Sequence, residues 1–177
     1  MTRTFIGIPV PPAASTRLWQ LVSPLLQSLG NTVRQTLPEN WHLTIRFLGN
    51  VEASALEQIG QSILEITRDF KKFRININKV SGFPSLNSRI ISAHVEKHPC
   101  LDKLFSSLDK VARQLGVPSE NRGFRPHITL AKSREPIQIE PMTIEPFSIT
   151  VEKLVLFESR PSDSGSHYIP LKVASFT

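Results

Sequence analysis

Two histidines, His42 and His127, each open the same short pattern, His-x-Thr-x, as His42-Leu43-Thr44-Ile45 and His127-Ile128-Thr129-Leu130. Both copies lie in alternating, strand-like runs. Strand side chains repeat every second residue, so each run sends apolar residues one way and an imidazole beside a hydroxyl the other. In HLTIRFLG this alternation puts His42, Thr44 and Arg46 on one face, with Leu43, Ile45 and Phe47 opposite. Two such strands across one cleft would surround a substrate with two proton-transfer groups and two hydroxyl donors. Imidazole, with an ordinary pKa of about 6.5, suits either acid or base work near neutrality. Threonine hydroxyls can donate to oxygens that gain charge in a transition state.

A metal centre is the main chemical rival. Zinc takes three or four protein ligands, and its histidines are oriented by carboxylates. Neither motif contains Asp or Glu, so no metal and no cofactor is expected. His94 and His98 are spaced as ligands on a helix would be, but Ile91, Ala93 and Val95 make that segment a strand. His94 is expected to face away from its apolar side, His98 to lie in a turn and His167 to be solvated. Cys100, the one cysteine, excludes an internal disulfide and reads as a small apolar residue at the start of a helix.

The rest of the chain must hold these strands. Residues 3–9 predict a strand ended by Pro9, Pro11 and Pro12. Leu18, Leu21, Val22, Leu25, Leu26 and Leu29 recur at helical spacing, Gly30 is a stop, and Pro24 predicts a kink or early break. The first motif strand spans 41–48, and a helix follows over 52–68. Phe73, Ile75 and Ile77 form a strand, Gly82–Ser88 a loop, and Ile91, Ala93 and Val95 another strand. A third helix covers about 100–115, stopped by Gly116 and Pro118. Pro126 opens the second motif strand, where a missing donor is tolerated. Phe147, Ile149 and Val151 alternate, and a phase shift at Glu152-Lys153 predicts a bulge before Leu154 and Leu156. A turn over Pro161–Ser166 leads to a last strand with Ile169, Leu171 and Val173. The motifs stand 85 positions apart (127 minus 42) with similar surroundings, which suggests two related halves.

With 177 residues and a formal charge of +6, the chain fits one domain or two small lobes and favours an anionic partner such as nucleic acid. Small basic clusters occur at Lys71-Lys72-Arg74 and at Arg122, Arg125, Lys132 and Arg134. The apolar start is too short for a signal peptide, and no stretch approaches a membrane span. A cytoplasmic monomer is expected.

Placed together, the motifs and their flanks resemble the two-histidine (2H) phosphoesterase superfamily, and within it the bacterial RNA 2′,3′-cyclic phosphodiesterases, historically called 2′-5′ RNA ligases. RTFIGIPVP is similar to that family's first strand, PENWHLTIRFLGNV and FRPHITLAKS to its two motifs, and FESRPSDSGSHYIPL to its final hairpin. The resemblance implies an α+β, bilobal fold over residues 1–177. Two pseudo-symmetric lobes would each carry an antiparallel sheet and outer helices around a central cleft. It implies metal-independent opening of an RNA 2′,3′-cyclic phosphate to a 2′-phosphate, with His127 as proton acceptor and His42 as proton donor. Thr44 and Thr129 would hold the phosphoryl oxygens. Two positions depart from the family. Lys132 stands where an arginine usually contacts the phosphate, keeping the charge without the bidentate fork. Strict alternation puts Lys132 on the face away from His127 unless the strand bulges. Ser92 stands where the family often has tryptophan. Phe5 and Phe124, candidate stacking residues, are expected in the core.

Two rival readings keep the scaffold. One is the same chemistry on another cyclic phosphate or a 2′-5′-linked nucleotide, separable by product analysis. The other is a non-catalytic RNA-binding module, which would show salt-sensitive binding without turnover.

Overall fold

In the computed structural model, which describes residues 1–119, 123–162 and 165–177, the two motif strands lie side by side at the centre of one antiparallel sheet. Arg122 of the expected basic cluster and residues 163 and 164 of the expected turn lie outside the described residues. Among those described, nine strands and three α-helices run in the order β1 (Thr2–Pro9), α1 (Pro12–Ser28), β2 (Val33–Gln35), β3 (His42–Val51), α2 (Ala53–Arg68), β4 (Phe73–Phe83), β5 (Asn87–Val95), α3 (Pro99–Gln114), β6 (His127–Gln138), β7 (Met142–Val151), β8 (Lys153–Ser162) and β9 (Gly165–Ser175). The expected pair of antiparallel sheets is present as two halves of this one sheet. Its order is β7-β4-β5-β6-β3-β1-β8-β9, and β2 also pairs with β6. The two motif strands meet at a single ladder pair, Leu43 with Ile128.

The 85-residue offset extends well beyond the motifs. In the first half Ile8 pairs with Leu43, Gly7 with Thr44 and Phe5 with Phe47. In the second half Ala93 pairs with Ile128, Ser92 with Thr129 and Ile90 with Lys132. The strand entries match as well: Val10 N–H donates to the Trp41 carbonyl (3.0 Å), and Val95 N–H donates to the Pro126 carbonyl (3.2 Å). Pro126 therefore precedes the strand and contributes only its carbonyl.

The helices cover the faces that the strands' apolar residues present. Leu18, Val22 and Leu26 of α1, Ile59 and Ile63 of α2, and Leu101, Leu104 and Leu108 of α3 are at most 1 % exposed. Each such side chain contributes roughly 1.5–3 kcal/mol of burial. This packing holds α1 together through Pro24, so the expected early break does not occur. α3 starts with Pro99 at its first position, and His98 is its N-cap: the ring Nδ1 accepts from the Cys100 N–H at 3.2 Å. Gly116, at φ 81°, ends it in the left-handed region that glycine reaches without strain.

Two local expectations are corrected. Gly82 and Phe83 belong to β4, leaving only residues 84–86 as the connection to β5. Glu152 is no bulge; it is the link at which the chain leaves β7, paired with β4, and enters β8, paired with β1 in the other half. A bulge and a change of partner both shift the apolar phase by one, so one strand's pattern cannot separate them.

Candidate active site

Trp41 anchors the entry to β3. It is 1 % exposed and donates from its indole N–H to the Thr36 carbonyl at 2.9 Å. The next residue, His42, lies 2.7 Å by its Nδ1 from the Asn40 carbonyl, and His127 lies 2.8 Å by its Nδ1 from the Arg125 carbonyl. A carbonyl only accepts, so each Nδ1 carries a proton and each Nε2 is left for chemistry. The groups that orient the two imidazoles are thus backbone carbonyls, each two residues upstream.

The antiparallel pairing of Leu43 with Ile128 places Thr129 across from His42 and His127 across from Thr44, on the face opposite those two apolar residues. All four line one cavity of about 630 Å³, together with Lys132. Lys132 reaches this face by a bulge. Ile91 pairs with Ala131 but Ser92 with Thr129, so Leu130 is an extra residue, and Leu130 and Ala131 are buried in succession. The condition set by strict alternation is met: β6 bulges and Lys132 joins His127 and Thr129.

The first motif strand carries the same bulge, which overturns the expected face of two residues. Ile6 pairs with Arg46 and Gly7 with Thr44, so Ile45 is extra. Arg46 consequently turns inward, 3 % exposed, where its Nε pairs with Asp109 of α3 at 3.0 Å and its Nη1 donates to the Phe47 carbonyl at 2.6 Å. Phe47 turns outward, 55 % exposed, and lines the cavity.

Aromatic rings hold both imidazoles. Phe83 stacks on His127 with centroids 3.7 Å apart, and the Arg125 guanidinium lies 4.8 Å over the other participant, the Phe83 ring. His42 lies 4.6 Å from Phe5 and meets Tyr168 edge-on at 4.9 Å. Phe5, 2 % exposed, is core as expected yet lines the cavity; Phe124 is half-buried and stacks on Phe105 at 4.9 Å. Phe83 and Tyr168 escaped the sequence reading. The first fell in a segment read as a loop, and the second, the only tyrosine, is far from either motif in the chain.

Burial pulls His42 down to about 4, against the pull of the Asn40 carbonyl, with Lys132 and His127 adding to the lowering. His127 is also lowered, chiefly by burial. Both rings are therefore neutral in the free protein near pH 7. His94 lies opposite the buried Ala93 and Val95, as expected, and is the register partner of His127, sharing its face. Its Nε2 is 2.7 Å from the Ser81 hydroxyl, and burial lowers it to about 4. Ser92 is fully buried beside Thr129, and its Oγ has no hydrogen-bond partner. Among the described residues no three His, Cys, Asp or Glu side chains are grouped to hold a metal, and no helix is long and apolar enough to cross a membrane.

Residues 8–91 and 95–168 match the family described as LigT like Phosphoesterase. The chain is 30 % identical to the RNA 2′,3′-cyclic phosphodiesterase of Escherichia coli over 144 residues, covering 78 % of this chain and 77 % of that one. It is 25 % identical to that of Thermotoga maritima over 181 residues, covering 98 % and 95 %. The solved structure of E. coli LigT complexed with 3′-AMP superposes with a TM-score of 0.83 at 26 % identity, covering 99 % and 98 %. A Thermus thermophilus structure, at 22 % identity, shares the fold with a TM-score of 0.87. Two histidine strands facing one cavity are thus found in a sequence and a fold that agree on their kin, and the chain belongs to the LigT-like, two-histidine phosphoesterases.

Proposed function

We propose that the protein hydrolyses RNA 2′,3′-cyclic phosphate ends to 2′-phosphates without a metal, as one catalytic unit in which each half supplies one histidine. The observation that carries this reading is the pair of Nδ1–H groups fixed on backbone carbonyls, which leaves two Nε2 atoms for one cavity. Water attacks phosphorus as His127 Nε2 takes its proton. The bond from phosphorus to the 3′ oxygen breaks, and His42 Nε2 gives its proton to that oxygen. One water is consumed and no net proton is released within this step. Thr44, Thr129 and Lys132 offer donors to the phosphoryl oxygens as charge builds on them. The relatives' activity and the 3′-AMP complex of E. coli LigT support a nucleotide phosphate as substrate.

His42 must be protonated to donate, yet it is neutral in the free protein near pH 7. The substrate's negative charge supplies the difference, because a nearby anion favours imidazolium. The test is turnover of 2′,3′-cyclic nucleotides and of RNA bearing that end, with EDTA present. Alanine at His42 or His127 should cost about 10²–10⁴-fold in kcat. Loss of activity with EDTA, or unchanged kcat in both variants, refutes the reading.

A further inference from the structure

Arg34 on β2 pairs in register with Lys132 on β6, so two cations stand directly opposite each other on neighbouring antiparallel strands. Side chains so placed share a face with Cβ atoms about 5 Å apart, and like charges there are destabilising. Arg3 completes the group, lining the main cavity with Lys132 and Tyr168; burial chiefly, then Arg34 and Arg3, disfavour the charged form of Lys132. Among the described residues no carboxylate forms an ion pair with Arg3, Arg34 or Lys132. Cations on an edge strand commonly block strand addition. Here, however, Arg34 and Lys132 turn toward a recess of about 40 Å³ that they share with Asn40, His167 and Tyr168. That recess adjoins the main cavity through Lys132 and Tyr168, and Tyr168 meets His42 edge-on.

We infer that Arg3 and Arg34, with Lys132 at the boundary, form a second phosphate subsite, occupied by the phosphate on the 5′ side of the nucleotide being opened. This rests on the hydrolase reading above and extends it: the preferred substrate is an RNA strand end rather than a free cyclic nucleoside phosphate. A phosphate between the three cations relieves their mutual repulsion, and guanidinium groups match its oxygens. The basic end fixes which way the strand enters, because the cyclic phosphate must lie between the histidines while the upstream phosphate lies beyond Tyr168.

The test compares three substrates: a 2′,3′-cyclic nucleoside phosphate, the same compound with a 5′-phosphate, and a tetranucleotide with a 2′,3′-cyclic end. The wild-type protein should gain about tenfold in kcat/KM from the added phosphate or strand, the scale of one charge-assisted contact. Arg34→Gln should abolish that gain, leave the first substrate within about twofold, and be rescued in large part by Arg34→Lys. A gain with the tetranucleotide alone assigns the subsite to a strand phosphate and supports the proposal. Equal rates on all three substrates, or an equal loss on all three in Arg34→Gln, overturns it. If the wild-type protein turns over none of them, the hydrolase reading has failed, and binding decides the subsite. A labelled tetranucleotide ending in a 2′-phosphate should then bind with a salt slope reduced by about 1 in Arg34→Gln; an unchanged slope overturns the proposal.

Discussion

Phe47 occupies, in the first half of the sheet, the register position that Lys132 occupies in the second. Each follows a one-residue bulge after a His-x-Thr motif, and each is turned by that bulge into the cavity. The two ends of a near-symmetric cleft thereby acquire different chemistry, one aromatic and one cationic. Their partners on the neighbouring strands differ as well: aromatic Phe5 beside Phe47, aliphatic Ile90 beside Lys132.

Substituting these two positions should separate binding from folding. Phe47 is more than half exposed, so Phe47→Ser should leave stability within about 0.5 kcal/mol, as for most surface changes. Lys132→Gln should lower kcat/KM by about tenfold or more, and Lys132→Arg should retain most of it. Urea unfolding with steady-state kinetics on a cyclic nucleotide measures both. A large stability loss in Phe47→Ser would place that ring in the core instead.

The Arg46–Asp109 pair joins β3 to α3 with Arg46 3 % and Asp109 13 % exposed, and Arg113 also contacts Asp109 at 3.1 Å. Removing one partner of a buried pair strands the other's charge. Asp109→Ala should therefore cost about 3–5 kcal/mol. Urea denaturation reads this directly; a cost below about 1 kcal/mol would mean that Arg46 is well solvated.

The pH dependence of kcat/KM follows from the free-protein values. With His127 as the proposed acceptor and His42 as the proposed donor, activity should rise with pH as His127 loses its proton and fall as His42 loses its own, the two titrating as a coupled pair. Both are held below the ordinary histidine value, His42 at about 4. The kcat/KM maximum should lie on the acid side of about 6.5, and the kcat maximum, set by the phosphate-bound complex, at higher pH. A kcat/KM maximum above pH 7 would contradict the burial of His42.

Stability should carry the same signature. The unfolded chain's His42 titrates near 6.5 and the folded one's at about 4, so between these values the unfolded state binds more protons. Stability is then full above about pH 6.5 and falls as pH drops toward 4, by on the order of 2 kcal/mol from His42. His94 acts in the same direction. Chemical denaturation of the wild-type protein and His42→Asn at pH 7 and pH 4.5 should show the variant losing less; equal losses would refute it.

Gly82 controls Phe83. A Cβ at Gly82 would approach the Ser85 and Leu86 carbonyl oxygens to 2.5 Å, so the turn after β4 must shift. Phe83, the next residue, stacks on His127. Gly82→Ala should lower kcat on a cyclic nucleotide and reduce stability together, whereas Phe83→Leu should spare stability more than activity. A fully active Gly82→Ala would show that the stack does not position His127.

Much of this was legible in the chain. Alternation located both motif strands, and helical spacing found all three helices. What escaped depends on pairing. The apolar pattern of HLTIRFLG is compatible with strict alternation, and only the register of β1 against β3 shows Ile45 to be extra, which exchanges Arg46 and Phe47 between faces. Alternation correctly sets His94 opposite Ala93 and Val95, but only the pairing with other strands shows that this face also carries Ser81 and His127. The carbonyls that orient both imidazoles carry no side-chain signature at all.

The two halves share one sheet, yet only one rung, Leu43 with Ile128, bridges their motif strands. Were two identical copies to meet at such a rung, the groove would look the same from either end, and a strand of RNA could lie in it head-first or tail-first with equal ease. Covalent fusion removes that ambiguity. Each half can drift at its own Phe47 or Lys132 without disturbing the hinge of symmetry, and the groove acquires a polarity, aromatic at one end and cationic at the other.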